Sequence, residues 1–231
     1  MYWKPVLACA LALGASAARA GAADLTDTEQ RWLKGAWPVI AFAEQQKLPL
    51  DIVVQPQPTP GKAPLALGFV DGRCKLVLSM RGNPEAEATL GRIEPRWLGP
   101  TLELMAAHEL GHCRRYLDGA WRGLPAGFVT AAPAGLSPEL REAWLDMKAT
   151  RREEGYGDLV GLAWTRQHHP EAYAPLHAWL LGERSRDLQP GSHHDTLAWV
   201  RLAGDGAALA AGPSIFGAAA VLWQTGLKAD N

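Results

Sequence analysis

The stretch TLELMAAHELGHCRRYLDG, residues 101–119, carries two histidines four positions apart, with a glutamate directly after the first. Its leucines, alanines and methionine favour a helix, so an α-helix is predicted here. In a helix of about 3.6 residues per turn, side chains four apart project from the same face, so His108 and His112 can reach one ion. Glu109 projects about a quarter turn away, where it can hydrogen-bond a water molecule instead of binding the ion.

Two histidines and a carboxylate form a ligand set that suits zinc. Neutral imidazole binds Zn²⁺ well, and three protein ligands leave a fourth position for water, whose pKa the ion lowers to about 7. Glu109 is then placed as the general base that takes a proton from this water. The five-residue pattern also occurs by chance, so the interpretation depends on a third ligand elsewhere in the chain.

Two regions offer a third ligand. Asp118 lies where a longer zinc motif places its last ligand, but that motif needs a glycine at the position that Arg115 occupies. Glu154, in the stretch ATRREEGYGDLVGLAW, falls on a second predicted helix, and Asp158 four residues later lies on the same face. A carboxylate at Asp158 can accept the outer N–H of a ligand histidine. Glu153 is the neighbouring alternative, without this relation to an acid.

A helix bearing HELGH, followed by a helix bearing EGYGD, resembles the gluzincin metallopeptidases. The glutamate, three residues and aspartate are most similar to the HtpX-like and CAAX-prenyl-protease-like branch. The resemblance implies a zincin-like α+β domain with His108, His112 and Glu154 as zinc ligands. It also implies Glu109 as the general base and Asp158 as the residue that orients a ligand histidine.

The same branch carries a histidine in a short SHP segment before a helix, and GSHHDTLAWVRLA, residues 191–203, has a similar outline. In such enzymes this histidine faces the metal and stabilises the oxyanion formed when water attacks the peptide carbonyl. His193 takes this place if His194 replaces the proline, and His194 takes it if the register shifts by one. The alternative is a helix cap at Asp195 preceded by two exposed histidines.

The rest of the chain predicts a mainly helical α+β fold with a small antiparallel sheet beside the HELGH helix. Three β-rich runs, separated by prolines and an Asp71-Gly72 turn, are LDIVVQP (50–56), PLALGFV (64–70) and CKLVLSM (74–80). Helices are predicted over about 26–48 with an interruption near Pro38, and over about 100–117, 138–167, 170–181 and 196–209. The apolar tail, residues 207–226, is interrupted by glycine and proline, which favours a packed helix or hairpin over a membrane span.

The N-terminus, MYWKPVLACALALGASAARAGAAD, has the pattern of a secretory signal peptide with a cleavage site after Ala20. We therefore expect a signal peptide at 1–20, a single domain at 21–231, and a periplasmic or secreted protein without a membrane span. Cys74 and Cys113 are then an even pair in an oxidising compartment. They either form a disulfide that ties the sheet to the HELGH helix or remain two buried thiols.

The net charge of the chain limits the classes of partner that we expect. The formal net charge of −1 gives no electrostatic reason to expect nucleic acid or an anionic membrane as a partner. The leading hypothesis is a zinc-dependent peptidase acting on a peptide or protein. The alternatives are a non-catalytic zinc-binding protein on the same scaffold and a zinc amidase acting on a non-peptide substrate. Cleavage specificity and oligomeric state stay open.

Overall fold

The computed structural model describes residues 24–57, 59, 61–186, 188–210 and 212–230, so the predicted signal peptide lies outside the described residues. The helices are α1 (Asp27–Gln45), α2 (Pro84–Gly91), α3 (Leu98–Leu117), α4 (Pro138–His168), α5 (Tyr173–Ser185), α6 (Leu197–Leu202), α7 (Ala207–Ala210) and α8 (Ile215–Ala229). The strands are β1 (Leu50–Pro56), β2 (Leu65–Val70) and β3 (Arg73–Arg81). This mixture of helices and one small sheet confirms the α+β class.

The centre of the fold is the contact between α3 and α4, with α1 and the sheet on one side and α8 on another. Glycines on α4 allow the two helices to approach closely. A Cβ atom at Gly157 would lie 2.8 Å from Cε1 of His108, and one at Gly161 would lie 2.7 Å from the carbonyl oxygen of Leu104. These contacts are too short for any larger side chain, so the glycines set the distance between the helices.

If the HELGH histidines bind zinc, as the sequence pattern predicts, Gly157→Ala should weaken that binding about tenfold or more, because the added methyl group would displace the His108 ring. The free energy of unfolding should also fall by roughly 1–3 kcal/mol through overpacking. Zinc affinity measured by chelator competition and stability measured by urea unfolding test both effects.

Gly182→Ala is the matched control, since a Cβ at this helical position meets no atom within 4 Å. Alanine has the higher helix propensity, so this variant should bind zinc like the parent and be equally or slightly more stable. Equal zinc affinity in Gly157→Ala and Gly182→Ala would contradict the expected displacement.

The sheet is mixed, which corrects the prediction of an antiparallel one. Its strand order is β1-β3-β2, with β2 antiparallel and β1 parallel to the central β3. The Asp71-Gly72 turn forms the expected β2-β3 hairpin. β3 therefore lies between the other two strands and runs parallel to β1, with β2 connecting them in the chain.

Two predicted helix boundaries were wrong. Helix α1 continues through Pro38, which is exposed, so the carbonyl that loses its backbone partner lies on the solvent side of the helix. The helix expected over 196–209 is divided into α6 and α7. The division falls before Gly206, whose φ of +68° is left-handed and ends regular helical geometry.

Helix α2 was not predicted, although its start carries a recognisable pattern. The Asn83 side chain accepts a hydrogen bond from the backbone N–H of Glu85 at 3.1 Å, and Pro84 follows the cap directly. Asparagine at the cap with proline at the first helical position is a common helix start. The helix is short and weakly amphipathic, so hydrophobic periodicity does not indicate it.

Of the two alternatives for the cysteines, the structure has the disulfide. Cys74 on β3 and Cys113 on α3 are bonded, with their Cα atoms 5.6 Å apart, and both side chains are fully buried. The bond joins the central strand to the residue that follows His112. It therefore fixes the sheet against the helix that carries the histidine pair.

Replacing both cysteines by alanine should lower the free energy of unfolding by about 4 kcal/mol. The two residues are 39 positions apart, and cross-linking a loop of this size removes about that much chain entropy from the unfolded state. Urea unfolding of the oxidised parent and the double variant measures the difference. A change below about 1 kcal/mol would show that the bond contributes little to stability.

Among the described residues, no helix combines the length and apolar character required to cross a bilayer. The apolar tail forms α8, which packs against α4 and buries Trp223. The tail also includes α7, which contacts α8, so within the described residues it is a pair of packed helices.

Candidate metal centre

Three side chains from two helices converge at the α3–α4 contact. Helix α3 supplies His108 and His112, α4 supplies Glu154, and their ligand atoms all lie within 4.8 Å of one another. The two histidine Nε2 atoms are 3.0 Å apart. The Glu154 carboxylate oxygens lie 3.4 Å from Nε2 of His108 and 3.5 Å from Nε2 of His112.

These separations fit one small metal ion. Ligand atoms at ~2.0–2.1 Å from a tetrahedral zinc ion stand about 3.3 Å from one another. The observed spacings of 3.0, 3.4 and 3.5 Å scatter around that value. Imidazole nitrogens with one carboxylate are also a donor set that zinc prefers. The group could therefore hold a zinc ion without rearrangement of the helices.

The other acidic candidates have different partners. Asp118 is at the exposed end of α3, where it pairs with Arg114 at 2.8 Å. Glu153 is buried, but its carboxylate accepts hydrogen bonds from Arg115 and from the backbone N–H of Arg122. The structure brings neither of them into the His108 group.

Asp158 occupies the position expected of an orienting residue. Its Oδ1 lies 3.0 Å from Nδ1 of His108, on the side of the ring opposite the ligand nitrogen. Arg184 donates to the Asp158 carboxylate through Nε at 2.8 Å, and the Thr196 hydroxyl donates to it as well. Burial favours a raised pKa for Asp158, but the charge of Arg184 and the hydrogen bond from His108 hold it well below the usual range. Asp158 is therefore a buried anion that accepts a hydrogen bond from Nδ1 of His108 and leaves Nε2 facing the ligand group.

His108 and Glu154 lie close enough to shift each other's pKa. Burial opposes a charged His108, yet the hydrogen bonds to Asp158 and Glu154 raise its pKa to about 10. Burial likewise favours a protonated Glu154, but hydrogen bonds from both histidines hold its pKa well below the usual range. Glu154 thus faces both histidines as an anion, and Asp158 faces His108, while the Arg184 guanidinium contacts both carboxylates.

Glu109 lies outside the ligand group but beside it. Its side chain is half-buried and lines the cavity that contains the ligand residues. Burial raises the pKa of the Glu109 carboxyl above its ordinary value, while the nearby His108 and His112 act in the opposite direction. A raised pKa is the direction that suits a general base working near neutral pH.

His112 is oriented differently from His108. Its Nδ1 atom is buried and makes no hydrogen bond within the described part of the chain. Its ring lies edge-on to Trp121, with the ring centroids 5.4 Å apart. The His112 ring is therefore held by its position on α3 and by packing against Trp121.

A cavity of about 510 Å³ opens beside the ligand group. Its walls come from α2, α3, α4, α5 and the segment 61–65. The two histidines proposed to face the metal are both exposed, and of the two only His194 is part of the lining of this cavity. Partial desolvation at the cavity wall and the charge of Arg184 lower the pKa of His194 to about 4. The ring is therefore neutral at pH 7 and retains one N–H that can donate.

Two residues of the site were not predicted. Arg184 lies in the polar last turn of α5, where the sequence does not indicate that a side chain is buried. Thr196 was predicted only as the start of a helix. Both reach Asp158 through tertiary contacts from elements more than 25 residues away in sequence. No local sequence motif predicts either contact.

Comparison with protein-family models, curated proteins and solved structures finds no match to this chain. What the molecule itself defines is an α+β fold with a buried His108–His112–Glu154 group that could hold a metal ion.

Proposed function

We propose that the chain is an exported zinc-dependent peptidase with a zincin-like arrangement of its site. The observation that carries this proposal is the convergence of His108, His112 and Glu154, whose ligand atoms lie within 4.8 Å of one another. Glu109 lines the cavity beside this group and is not part of it. This is the arrangement that the resemblance to gluzincins implies for a catalytic centre that keeps one coordination position open.

The ion would be held by the two histidine Nε2 atoms and the Glu154 carboxylate. When bound, zinc supplies Lewis-acid polarisation of the substrate carbonyl and lowers the pKa of water. Asp158 holds the His108 ring through Nδ1, and Arg184 keeps Asp158 ionised and in place.

Glu109 is the proposed general base. It takes a proton from the attacking water and passes that proton to the leaving amine. His194, rather than His193, is the proposed donor to the developing oxyanion, because His194 alone of the two lines the cavity. Its neutral ring can donate an N–H without first gaining a proton.

The adjoining strand supports an extended peptide as substrate. β2 is an edge strand of the described sheet, and its first residue, Leu65, lines the same cavity together with Ala63 and Pro64. A peptide can add to such an edge through backbone hydrogen bonds, which would place its chain across the ligand group.

Hydrolysis of a reduced and alkylated protein by the purified, zinc-loaded chain tests the proposal. We expect cleavage that a chelator abolishes and that one equivalent of zinc restores. Retained zinc without cleavage of proteins or peptides would point to the non-catalytic alternative. Cleavage of non-peptide amides alone would point to the amidase, and a chain that binds no zinc would overturn all three hypotheses.

A further inference from the structure

The two histidines of the ligand group are held in different ways. Nδ1 of His108 meets the Asp158 carboxylate at 3.0 Å, whereas Nδ1 of His112 is buried and has no hydrogen-bond partner among the described residues. A ligand histidine ordinarily donates its outer N–H to a fixed acceptor, which sets the orientation of the ring. Within the described part of the chain, His112 is therefore oriented by packing.

Trp121 supplies this packing, and it is itself part of an aromatic stack. Its ring is nearly perpendicular to the His112 ring, at an interplanar angle of 88°. Tyr116 stacks on Trp121 with the ring centroids 4.0 Å apart, and Phe69 of β2 stacks on Tyr116 at 4.8 Å. Perpendicular and stacked contacts of this kind restrict the relative positions of aromatic rings. The position of Trp121 thus limits where the His112 ring can lie.

A buried ion pair holds the backbone next to Trp121. Arg115 of α3 donates to the Glu153 carboxylate of α4 through Nε at 3.0 Å and through Nη2 at 2.8 Å. The same carboxylate accepts the backbone N–H of Arg122 at 2.8 Å. Nη2 of Arg115 also donates to the carbonyl oxygen of Gly123 at 2.7 Å. The two residues that follow Trp121 are therefore both tied to this pair.

The surroundings of the pair suit a fixed anchor. The side chains of Glu153 and Arg115 are only 1% and 12% exposed, and the Arg115 guanidinium lies 4.5 Å from the centroid of the Trp223 ring. Arg122 has a φ of +60°, in the left-handed region that residues other than glycine rarely adopt. Such a backbone persists only where its contacts hold it, and the hydrogen bond to Glu153 is one of them.

We propose that the Arg115–Glu153 pair positions the zinc ligand His112 and that it acts through Trp121. Glu153 directly precedes the ligand Glu154 on α4. Arg115 follows His112 by three residues on α3, so the pair joins the same two helices about one turn from the ligand group. The inference rests on the proposed function, because it concerns the zinc ligands of that site, but its test requires no turnover.

Two replacements of Trp121 test the role of the ring. Trp121→Leu should lower zinc affinity about tenfold, because leucine offers no aromatic ring to His112. Trp121→Phe keeps a ring in this place and should stay within about threefold of the parent. Chelator competition on the metal-free proteins measures the affinities, and urea unfolding of the same forms measures stability. Equal losses of affinity in the two variants would contradict a role for the ring.

A double-mutant cycle tests whether Glu153 acts through Trp121. Glu153→Gln should lower zinc affinity about five- to tenfold, because glutamine keeps the shape of the side chain but loses the charge that holds Arg115. In the Trp121→Leu background the same change should cost less than about twofold, since the ring that transmits the effect is already absent. A direct effect of the Glu153 charge on the ion would instead be equal in both backgrounds.

Asp146→Asn is the matched control. Asp146 is exposed and pairs with the guanidinium of Arg122, whereas Glu153 holds the backbone of that residue. This control should leave zinc affinity unchanged. If Glu153→Gln does not fold, Arg115→Lys takes its place in the cycle, because lysine keeps the buried charge pair but lacks the fork that reaches both Glu153 and Gly123.

The outcomes distinguish the inference from the proposed function. A cycle in which the losses do not add supports the inference. A parent that binds zinc, together with Trp121→Leu at the parent's affinity or with additive losses in the cycle, overturns the inference and leaves the peptidase proposal standing. A parent that holds no zinc overturns the proposed function, and the inference fails with it.

Discussion

Glu109→Gln is expected to retain one zinc per chain and to lose about 10²- to 10⁴-fold of its hydrolytic activity. Glutamine has nearly the same volume and lines the cavity equally well, so the ligand group should be undisturbed. It has no carboxylate, and it cannot take a proton from the attacking water. The variant therefore separates proton transfer from metal binding.

Metal content by atomic emission and kcat/KM on one peptide substrate, measured on the same preparations, decide this prediction. Glu142→Gln serves as the control, because Glu142 is exposed on α4 and does not line the cavity beside the ligand group. Cleavage by Glu109→Gln at the parent's rate would remove Glu109 from the mechanism. Loss of zinc in this variant would instead show a structural role for the carboxylate.

Glu154→Ala is expected to lower zinc affinity by more than about 100-fold, whereas Asp118→Ala should leave it unchanged. Even partners outside the ligand group typically contribute 10- to 100-fold, so the loss of a ligand should exceed that range. The alanine variant would keep only two neutral ligands and would lose the anion that faces them. Asp118 contacts Arg114 at the exposed end of α3 and faces no ligand atom.

Titration of the three metal-free proteins with zinc against a competing chelator measures these affinities. Circular dichroism of the metal-free forms shows whether each variant is folded. If Asp118→Ala loses zinc and Glu154→Ala keeps it, the longer zinc motif is correct and the ligand set proposed here is wrong. If neither variant changes the affinity, zinc binds elsewhere in the chain.

Several features of the fold could be predicted because local sequence determines them. Helices α3 and α4 and the three strands follow from hydrophobic periodicity, caps and turn residues, which act over a few positions. The predicted antiparallel pairing was wrong because the order and direction of strands depend on which strands meet after the chain has turned. In the mixed sheet β1 and β3 contact α1, and β2 contacts α3, and these are tertiary contacts that no local pattern encodes.

The candidate site shows the same division. The four-residue spacings of His108 with His112 and of Glu154 with Asp158 place each pair on one helix face, so each half of the site is visible in the sequence. The histidine pair on α3 and the carboxylates on α4 come together only through tertiary packing of the two helices. It requires the close approach that Gly157 permits, and no local pattern encodes that distance.

What the sequence by itself determined, then, is the chemistry available on each element: two histidines and a glutamate on one helix, two carboxylates on another, and a pair of cysteines. Only the tertiary structure decided which groups meet. It turned His194 rather than His193 toward the cavity, buried Arg184 against Asp158, and closed the Cys74–Cys113 bond. The reason is physical: helical periodicity is set by neighbours within one turn, whereas these contacts form between segments that only the packed core brings together.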